Sequence, residues 1–339
     1  MSVPSKFSLF KRSNGFYYIL FEKDGKRKWK STRATLKTDA LKALTEFKDL
    51  LASRQVEVTL SKFIDTFLPF ARVNYSKCTV DFYEQALNRL RSMVGDRSLS
   101  CLTMQHLDQY KVKRLSEKKS AATVNRDLQA LRAAMNTATS WKLIKANPFS
   151  KMRQVQIPDT QPTYFTKSDF QTLMKGIADQ WLKELIIFAA LTGMRRGEIT
   201  NLRWEDVDLK QRLIVIQSNP TFKTKHGKRR ILPMNDIVFN LLAAKAGRAT
   251  YEYVFHIGGR KIYDDHACKK LKKYIRQAGL NNRLHFHSLR HTFASWLVQD
   301  GVSLYEVQKL LGHSNIAVTQ VYSHLLPEGL HSTVNRISL

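Results

Sequence analysis

Six side chains in the second half of the chain stand in an order suited to attack on a phosphodiester. They are Arg195 within TGMRRGE, Lys225 within TKHGKRR, His287 and Arg290 within HSLRH, His313 after Leu-Gly, and Tyr322 nine residues further on. Two arginines, a lysine and two histidines can surround a phosphate whose charge grows as an incoming oxygen adds to phosphorus. The tyrosine can supply that oxygen. Arg195 and Arg290 can each offer a planar fork to two phosphate oxygens, which a lysine's point charge does less well. A free phenol ionises near ~10, so nearby cations must favour the phenolate. His287 can accept its proton, His313 can donate a hydrogen bond to the phosphate, and Lys225 can protonate the departing oxygen. Lys223 and Lys228 compete for the last role. Glu198, one helical turn beyond Arg195, can orient an arginine.

This order and these spacings resemble the tyrosine recombinases, the phage integrase family, from about Thr166 to about His324. Arg195 stands at the family's first arginine, Glu198 at its acidic partner and Lys225 at its β-hairpin lysine. The last match is favoured over Lys223 and Lys228 because K-x-x-K followed by Arg and a strand is the family register. His287 and Arg290 match H-x-x-R, His313 follows the usual Leu-Gly, and Tyr322 matches the nucleophile. Any one element would mean little; five in the right order make coincidence improbable. The resemblance implies cleavage of double-stranded DNA through a 3′-phosphotyrosyl link and a free 5′ hydroxyl. Because that bond keeps the phosphoester's energy, another strand's hydroxyl can reverse the step without ATP. No cofactor is expected. His287 and His291 have the i, i+4 spacing of a zincin, but Ser288 replaces its glutamate and no suitable third ligand is placed downstream, so a metal is not expected. His291 reads as a helix residue supporting the site.

Charge agrees with a polyanionic partner. The chain carries 56 Lys plus Arg against 28 Asp plus Glu, a formal net charge of +28. That excess would also fit a ribosomal or membrane-surface protein, so it does not select DNA alone. The three cysteines, Cys78, Cys101 and Cys268, are widely spaced and form no C-x-x-C, which excludes a disulfide framework or zinc ribbon and suits a reducing cytosol. The start has no apolar signal region, and the longest apolar run, Leu185 to Leu191, is far below the ~20 residues that cross a bilayer. A cytoplasmic, soluble protein without a membrane partner is expected.

The elements that must position the site divide into three segments, in a mainly α chain with small β elements. Residues 1–54 hold 13 Lys plus Arg against 5 Asp plus Glu. Turn signals at Asn14-Gly15 and Asp24-Gly25, each flanked by β-prone aromatics, predict a three-stranded antiparallel meander, with a helix over about Thr38 to Leu51 on one face. Lys26, Arg27, Lys28 and Lys30 share one strand with Trp29. The unit resembles the amino-terminal arm-binding domain of phage and transposon integrases, and a β-sheet can enter a major groove. Residues 56–152 carry helical periodicity over Thr59 to Ala71, Thr79 to Met93, Thr103 to Leu115 and Ala122 to Lys142, predicting a helical bundle. Its TVNRDLQALR resembles the T-x-N-R-x-L element of the family's core-binding (SAM-like) domain, which places Asn125 and Arg126 as candidates to reach bases or phosphates. Polar Gln154 to Gln161 suits a linker. Residues 163–339 then predict a mixed α and β catalytic domain, with a helix start at Thr166 to Asp169 and β-prone LIVIQ and RRILP flanking Lys225.

The reading is a site-specific recombinase of a phage or mobile element, acting as a homotetramer on a core site and an arm-type site, with accessory DNA-bending proteins as further partners. Two alternatives stand beside it. One is a Xer-like recombinase resolving dimers; such enzymes usually begin directly with the helical bundle, which the basic segment before Val56 argues against. The other is a catalytically silent architectural or regulatory DNA-binding protein, disfavoured because every catalytic position is filled. After Pro327, Leu330, Val334 and Ile337 recur at helical spacing. The resemblance implies that this tail packs on a neighbouring protomer; docking on its own domain is the other option.

Overall fold

The chain divides into two units, residues 1–158 and 159–339. The computed structural model describes residues 7–23, 26–52, 58–158, 161–219, 222, 224, 227 and 229–326. The Asp24-Gly25 turn, Lys225 with its competitors Lys223 and Lys228, and the tail bearing Leu330, Val334 and Ile337 lie outside the described residues.

In the first unit, β1 (Phe7–Lys11), β2 (Tyr17–Lys23) and β3 (Lys26–Ser31) form an antiparallel sheet in sequential order. Gly15, at φ +83, closes the first turn. Strand alternation turns Ile19 and Phe21 inward, where they bury with Phe47 of α1 (Lys37–Ala52). Four helices follow: α2 (Leu60–Asn74), α3 (Lys77–Val94), α4 (Met104–Ser116) and α5 (Ala121–Ser140). Thr59, Ser76 and Ser120 cap three of them by accepting backbone N–H bonds, and Thr103 forms a capping box with His106. Their apolar stripes meet in a core that includes Phe63, Phe67, Leu90, Leu128 and Leu131, separate from the cluster under the small sheet.

A buried charge ties this bundle together. Asp127 on α5 accepts hydrogen bonds from Tyr110 Oη and Arg114 Nε, both at 3.0 Å, and Arg89 stands 3.6 Å away. Three helices thus converge on one carboxylate, and its paired environment offsets the cost of burial.

In the second unit, α6 (Lys167–Gly176) starts at the expected Thr166–Asp169 capping box. It is followed by α7 (Gln180–Thr192) and the short α8 (Arg196–Thr200). The strands β4 (Val207–Asp208), β5 (Leu213–Ile216) and β6 (Arg230–Pro233) then form an antiparallel sheet. After α9 (Asp236–Ala246), β7 (His256–Ile257) and β8 (Arg260–Lys261) make a small hairpin. The unit continues with α10 (Asp264–Gln277), α11 (Phe286–Gln299), α12 (Leu304–Leu311) and the four-residue α13 (Ala317–Gln320). The apolar run Leu185 to Leu191 belongs to α7, whose Leu185, Ile186, Phe188 and Ala189 are buried in the core. No helix among the described residues is long and apolar enough to cross a membrane. Tyr322 stands in a turn between α13 and a 3-10 turn at Ser323–Leu325.

Candidate active site

The site is assembled around one buried carboxylate. Glu198, 3 % exposed, closes the first turn of α8 by accepting the Arg195 backbone N–H at 2.8 Å, and Arg195 Nη1 donates to its Oε1 at 3.0 Å. From the start of β6, Arg230 sets both ends of its fork on the same carboxylate, Nη1 to Oε1 at 2.9 Å and Nη2 to Oε2 at 2.6 Å. Burial pushes the Glu198 carboxyl up, but the bonds and charges of Arg230 and Arg195 outweigh it and hold the group below its ordinary range. Glu198 therefore remains ionised and fixes two guanidiniums. Arg230 was not among the candidates from sequence. The available signal was strand period: Arg230 shares the inward face of β6 with buried Leu232, where a cation needs a partner.

Helix α11 contributes the second arginine. Arg290, 3 % exposed, donates from Nη1 to the Gly193 carbonyl at 2.6 Å and from Nη2 to the Leu311 carbonyl at 2.7 Å, joining the C-terminal ends of α7 and α12. Burial, then the charges of Arg195 and Arg230, pushes its pKa down to about 9, which leaves it charged at neutral pH. Both motif glycines are required where they stand. Gly193 lies at φ +59, and a Cβ there would run into Phe293 and Leu311. Gly312, at φ +67, ends α12 and leaves room for the Arg230 side chain, which a Cβ would meet at 2.7 Å.

Tyr322 is 2 % exposed and packs with Ala294, Val298, Val307 and Leu311. Its hydroxyl bonds to His291 Nδ1 at 2.5 Å. Burial pushes the phenol up to about 12, against a smaller opposite effect of Arg290. The nitrogen on the tyrosine hydroxyl thus belongs to His291 on α11, and the histidine expected to take the proton, His287, lies one turn before it on the exposed part of the same face. Ring contacts run in series, His285 to His287 at 6.5 Å between centroids, His287 edge-on to His291 at 5.0 Å, and His291 to Tyr322 at 6.0 Å. His313 pairs through Nδ1 with Thr319 Oγ1 at 2.9 Å, and burial followed by the charge of Arg290 pushes its pKa down to about 4. It is neutral at physiological pH, and with Nδ1 accepting from Thr319 it would carry its proton on Nε2, free to donate.

The structure thus brings Arg195, Glu198, Arg290, His313 and Tyr322 into one region. An open cleft of about 600 Å³ beside Arg195 is lined also by Arg196, Lys269 and Lys272, with Gly197, Cys268, His285, Phe286 and His287 completing its wall. The strands flanking Lys225 in the sequence pair as far as Ile216 with Arg230. Among the described residues there is no group of three His, Cys, Asp or Glu side chains arranged to hold a metal ion.

The other candidates separate. Asn125 is not a surface reader: it is 4 % exposed, donates from Nδ2 to the Val155 carbonyl at 2.8 Å and accepts the Val155 N–H on Oδ1 at 2.7 Å. Its amide is consumed in tying α5 to the segment that follows the bundle. Arg126 is exposed, with its guanidinium 3.8 Å over the Phe82 ring. Lys26, Arg27, Lys28 and Lys30 are all exposed but do not form one surface. The register pairs Lys30 with Ile19 and Lys28 with Phe21, on the helix-covered face, and Lys30 Nζ lies 4.1 Å from the Phe47 ring centroid. Arg27 and Trp29 stand on the opposite face with Phe10 and Tyr18, where the Arg12 guanidinium lies 4.5 Å from the Tyr18 ring and 4.6 Å from that of Trp29.

Residues 163–328 match the family model described as "Phage integrase family", and residues 59–156 match "Phage integrase, N-terminal domain". A tyrosine recombinase of Pseudothermotoga lettingae is 30% identical over 254 residues, 72% of this chain and 85% of the relative. The chain belongs to the tyrosine recombinases. A second relative, the tyrosine recombinase XerC of Bacillus pumilus, is 26% identical over 298 residues, 80% of the recombinase described here and 94% of XerC. Solved structures of like fold include a lambda integrase dimer bound to a COC′ core site, with TM-score 0.67 and 18% identity over 93% of each chain. The Tn1549 transposon integrase in complex with circular intermediate DNA has TM-score 0.68 and 19% identity over 83% of the recombinase and 100% of the integrase chain.

Proposed function

We propose that this tyrosine recombinase is the integrase of a phage or other mobile element, cleaving and rejoining double-stranded DNA at specific sites, with Tyr322 as the nucleophile. The observation that carries the reading is the placement of the Tyr322 hydroxyl beside a region where Arg195, Arg290 and His313 are fixed by backbone carbonyls, a buried carboxylate and a threonine hydroxyl. Donors held in place before the phosphate arrives need no reorganisation as charge develops, and that is where they lower a barrier most. Tyr322 Oη attacks phosphorus, the bond to the 5′ oxygen breaks, and a 3′-phosphotyrosyl link remains. Arg195 and Arg290 bind the non-bridging oxygens, His313 donates a hydrogen bond to them, and Lys225 protonates the leaving oxygen. Glu198 and Arg230 hold Arg195 in place.

Residues 1–54, 56–152 and 163–339 act in this reading as arm-binding, core-binding and catalytic segments. Support for the first comes from coverage: the lambda integrase dimer matches 93% of this chain, whereas lambda integrase(75-356) matches 77%. The same coverage favours an element integrase over the Xer reading, which rests on XerC relatives. A tetramer on DNA is consistent with a like-folded lambda integrase tetramer bound to a Holliday junction.

The test is a nicked suicide duplex carrying the short direct repeats that flank the encoding gene. The wild-type protein should form a covalent protein–DNA adduct, undiminished by EDTA, while Tyr322→Phe binds the duplex within about 3-fold of wild type and forms no adduct. An adduct from Tyr322→Phe would remove the assignment, and a wild-type protein that binds without ever forming one would favour the architectural alternative.

A further inference from the structure

His291 is the side chain that the reaction as described leaves unused, although it touches the reacting atom. It projects from α11 one turn after His287 and next to Arg290, and its Nδ1 meets the Tyr322 hydroxyl at 2.5 Å. A tyrosine has one proton to donate, and a neutral imidazole accepting at Nδ1 carries its own on Nε2. The charged and titratable neighbours facing His291 are His285, His287 and Arg290. All of them oppose a positive charge on it. Burial, followed by these neighbours, pushes its pKa down to about 4, so the resting ring is neutral and free to accept.

We propose that His291 is the general base for Tyr322 in cleavage and the general acid for the same oxygen in rejoining. The proposal rests on Tyr322 being the nucleophile. In cleavage the Tyr322 oxygen forms its bond to phosphorus while its proton passes to His291 Nδ1. The bond from phosphorus to the 5′ oxygen breaks, and that oxygen takes a proton from the acid on the β5–β6 loop, assigned above to Lys225. In rejoining, a 5′ hydroxyl returns its proton to that acid and attacks phosphorus. The bond to the tyrosine oxygen breaks, and the His291 imidazolium protonates the departing phenolate. One imidazole thus serves both directions, as microscopic reversibility requires.

The acid–base gap between the partners explains why the proton stays on the tyrosine at rest. With the phenol near 12 and the imidazole near 4, transfer before attack is strongly uphill. Phosphodiester binding changes both sides of this balance. An anion in the arginine cage favours a positive charge on His291, and bond formation to phosphorus makes the tyrosine oxygen far more acidic. Transfer is then timed to the attack, which leaves no free phenolate to react without DNA in place. The buried packing of the tyrosine ring holds the pair together in the meantime.

The substitution that separates base from hydrogen-bond acceptor is His291→Asn, because an Asn oxygen can occupy the position of Nδ1 but cannot take a proton at neutral pH. In full-length protein with the suicide duplex, this variant should keep the wild-type melting temperature and DNA affinity while adduct formation slows about 100- to 10,000-fold. Replacing Tyr322 by a trifluorotyrosine, whose phenol is far more acidic, should shrink the ratio of wild-type to Asn-variant rates to under about 10-fold, because an acidic nucleophile needs less base. A purely structural role would leave that ratio unchanged, and an unchanged ratio overturns the proposal. Cleavage by His291→Asn within twofold of wild type, with Tyr322→Phe inert, also overturns it while sparing the nucleophile; an adduct from Tyr322→Phe removes the nucleophile itself. If the Asn variant melts too early to assay, the same ratio is read with His291→Gln.

Discussion

Arg230 gathers more of the site than any side chain the motifs point to. Its fork fills Glu198, its charge depresses Arg290, and its stem occupies the space that Gly312 leaves open. Arg230→Lys should therefore do two things. A single ammonium cannot close both ends of the carboxylate, so Arg195 loses part of its orientation, and strand cleavage should fall at least ten-fold while DNA affinity changes by less than about 3-fold. Arg230→Met leaves the buried Glu198 with Arg195 as its remaining cation, and breaking one partner of a buried pair costs about 3–5 kcal/mol. A melting curve for the Met variant indistinguishable from wild type would show that the fork is not a structural element. Arg230, which the motifs do not single out, and His291, which the sequence marks only as a helix residue supporting the site, both stand beside motif residues. Arg195, Arg290, His313 and Tyr322 were legible because short spacings fix them. What distinguishes His291 is the direction of its side chain once α12 and the turn after Tyr322 pack on α11, and that is a tertiary fact. Asn125 failed for the same reason in reverse: its type suits DNA, but its face of α5 is turned inward.

At the scale of elements, periodicity carried most of the fold. The four bundle helices start at polar caps that the sequence displays, and their apolar spacings coincide with the buried stripes. Strand alternation was equally visible, yet a run of five basic and aromatic residues on β3 hides its own division into two faces, because periodicity of charge alone cannot say which face a helix covers. The stretch around Asn125 shows the other limit. Asn125 and Asp127 are both buried and both make long-range polar ties, leaving Arg126 exposed between them. Asn125→Ala strands the N–H and C=O of Val155 without their side-chain partners. The expected cost is about 1–3 kcal/mol in urea unfolding, with little change in DNA affinity for a core duplex. If the variant instead unfolds like wild type and loses DNA affinity, Asn125 reads DNA after all and its buried bonds open on binding.

For the whole molecule the governing quantity is charge. A net +28 spread over 339 residues makes association with any polyanion favourable, so specificity must come from where those charges face. Among the described residues of the small sheet, the face away from α1 combines Arg12 and Arg27 with the exposed rings of Phe10 and Trp29, whereas Lys30 is drawn over Phe47 on the covered face. Each phosphate neutralised contributes close to −0.9 to the slope of log affinity against log salt. Full-length protein carrying Arg12→Glu and Arg27→Glu should therefore bind a long duplex containing both core and flanking arm-type sequences with a slope shallower by about 2 between 50 and 200 mM salt. On a short core duplex the same variant should titrate like wild type if, as proposed, the small sheet reads a different segment of DNA. Equal slopes for variant and wild type on the long duplex would exclude the open sheet face as a reader. Losses of the same size on both duplexes would mean that the sheet and the rest of the chain share one site.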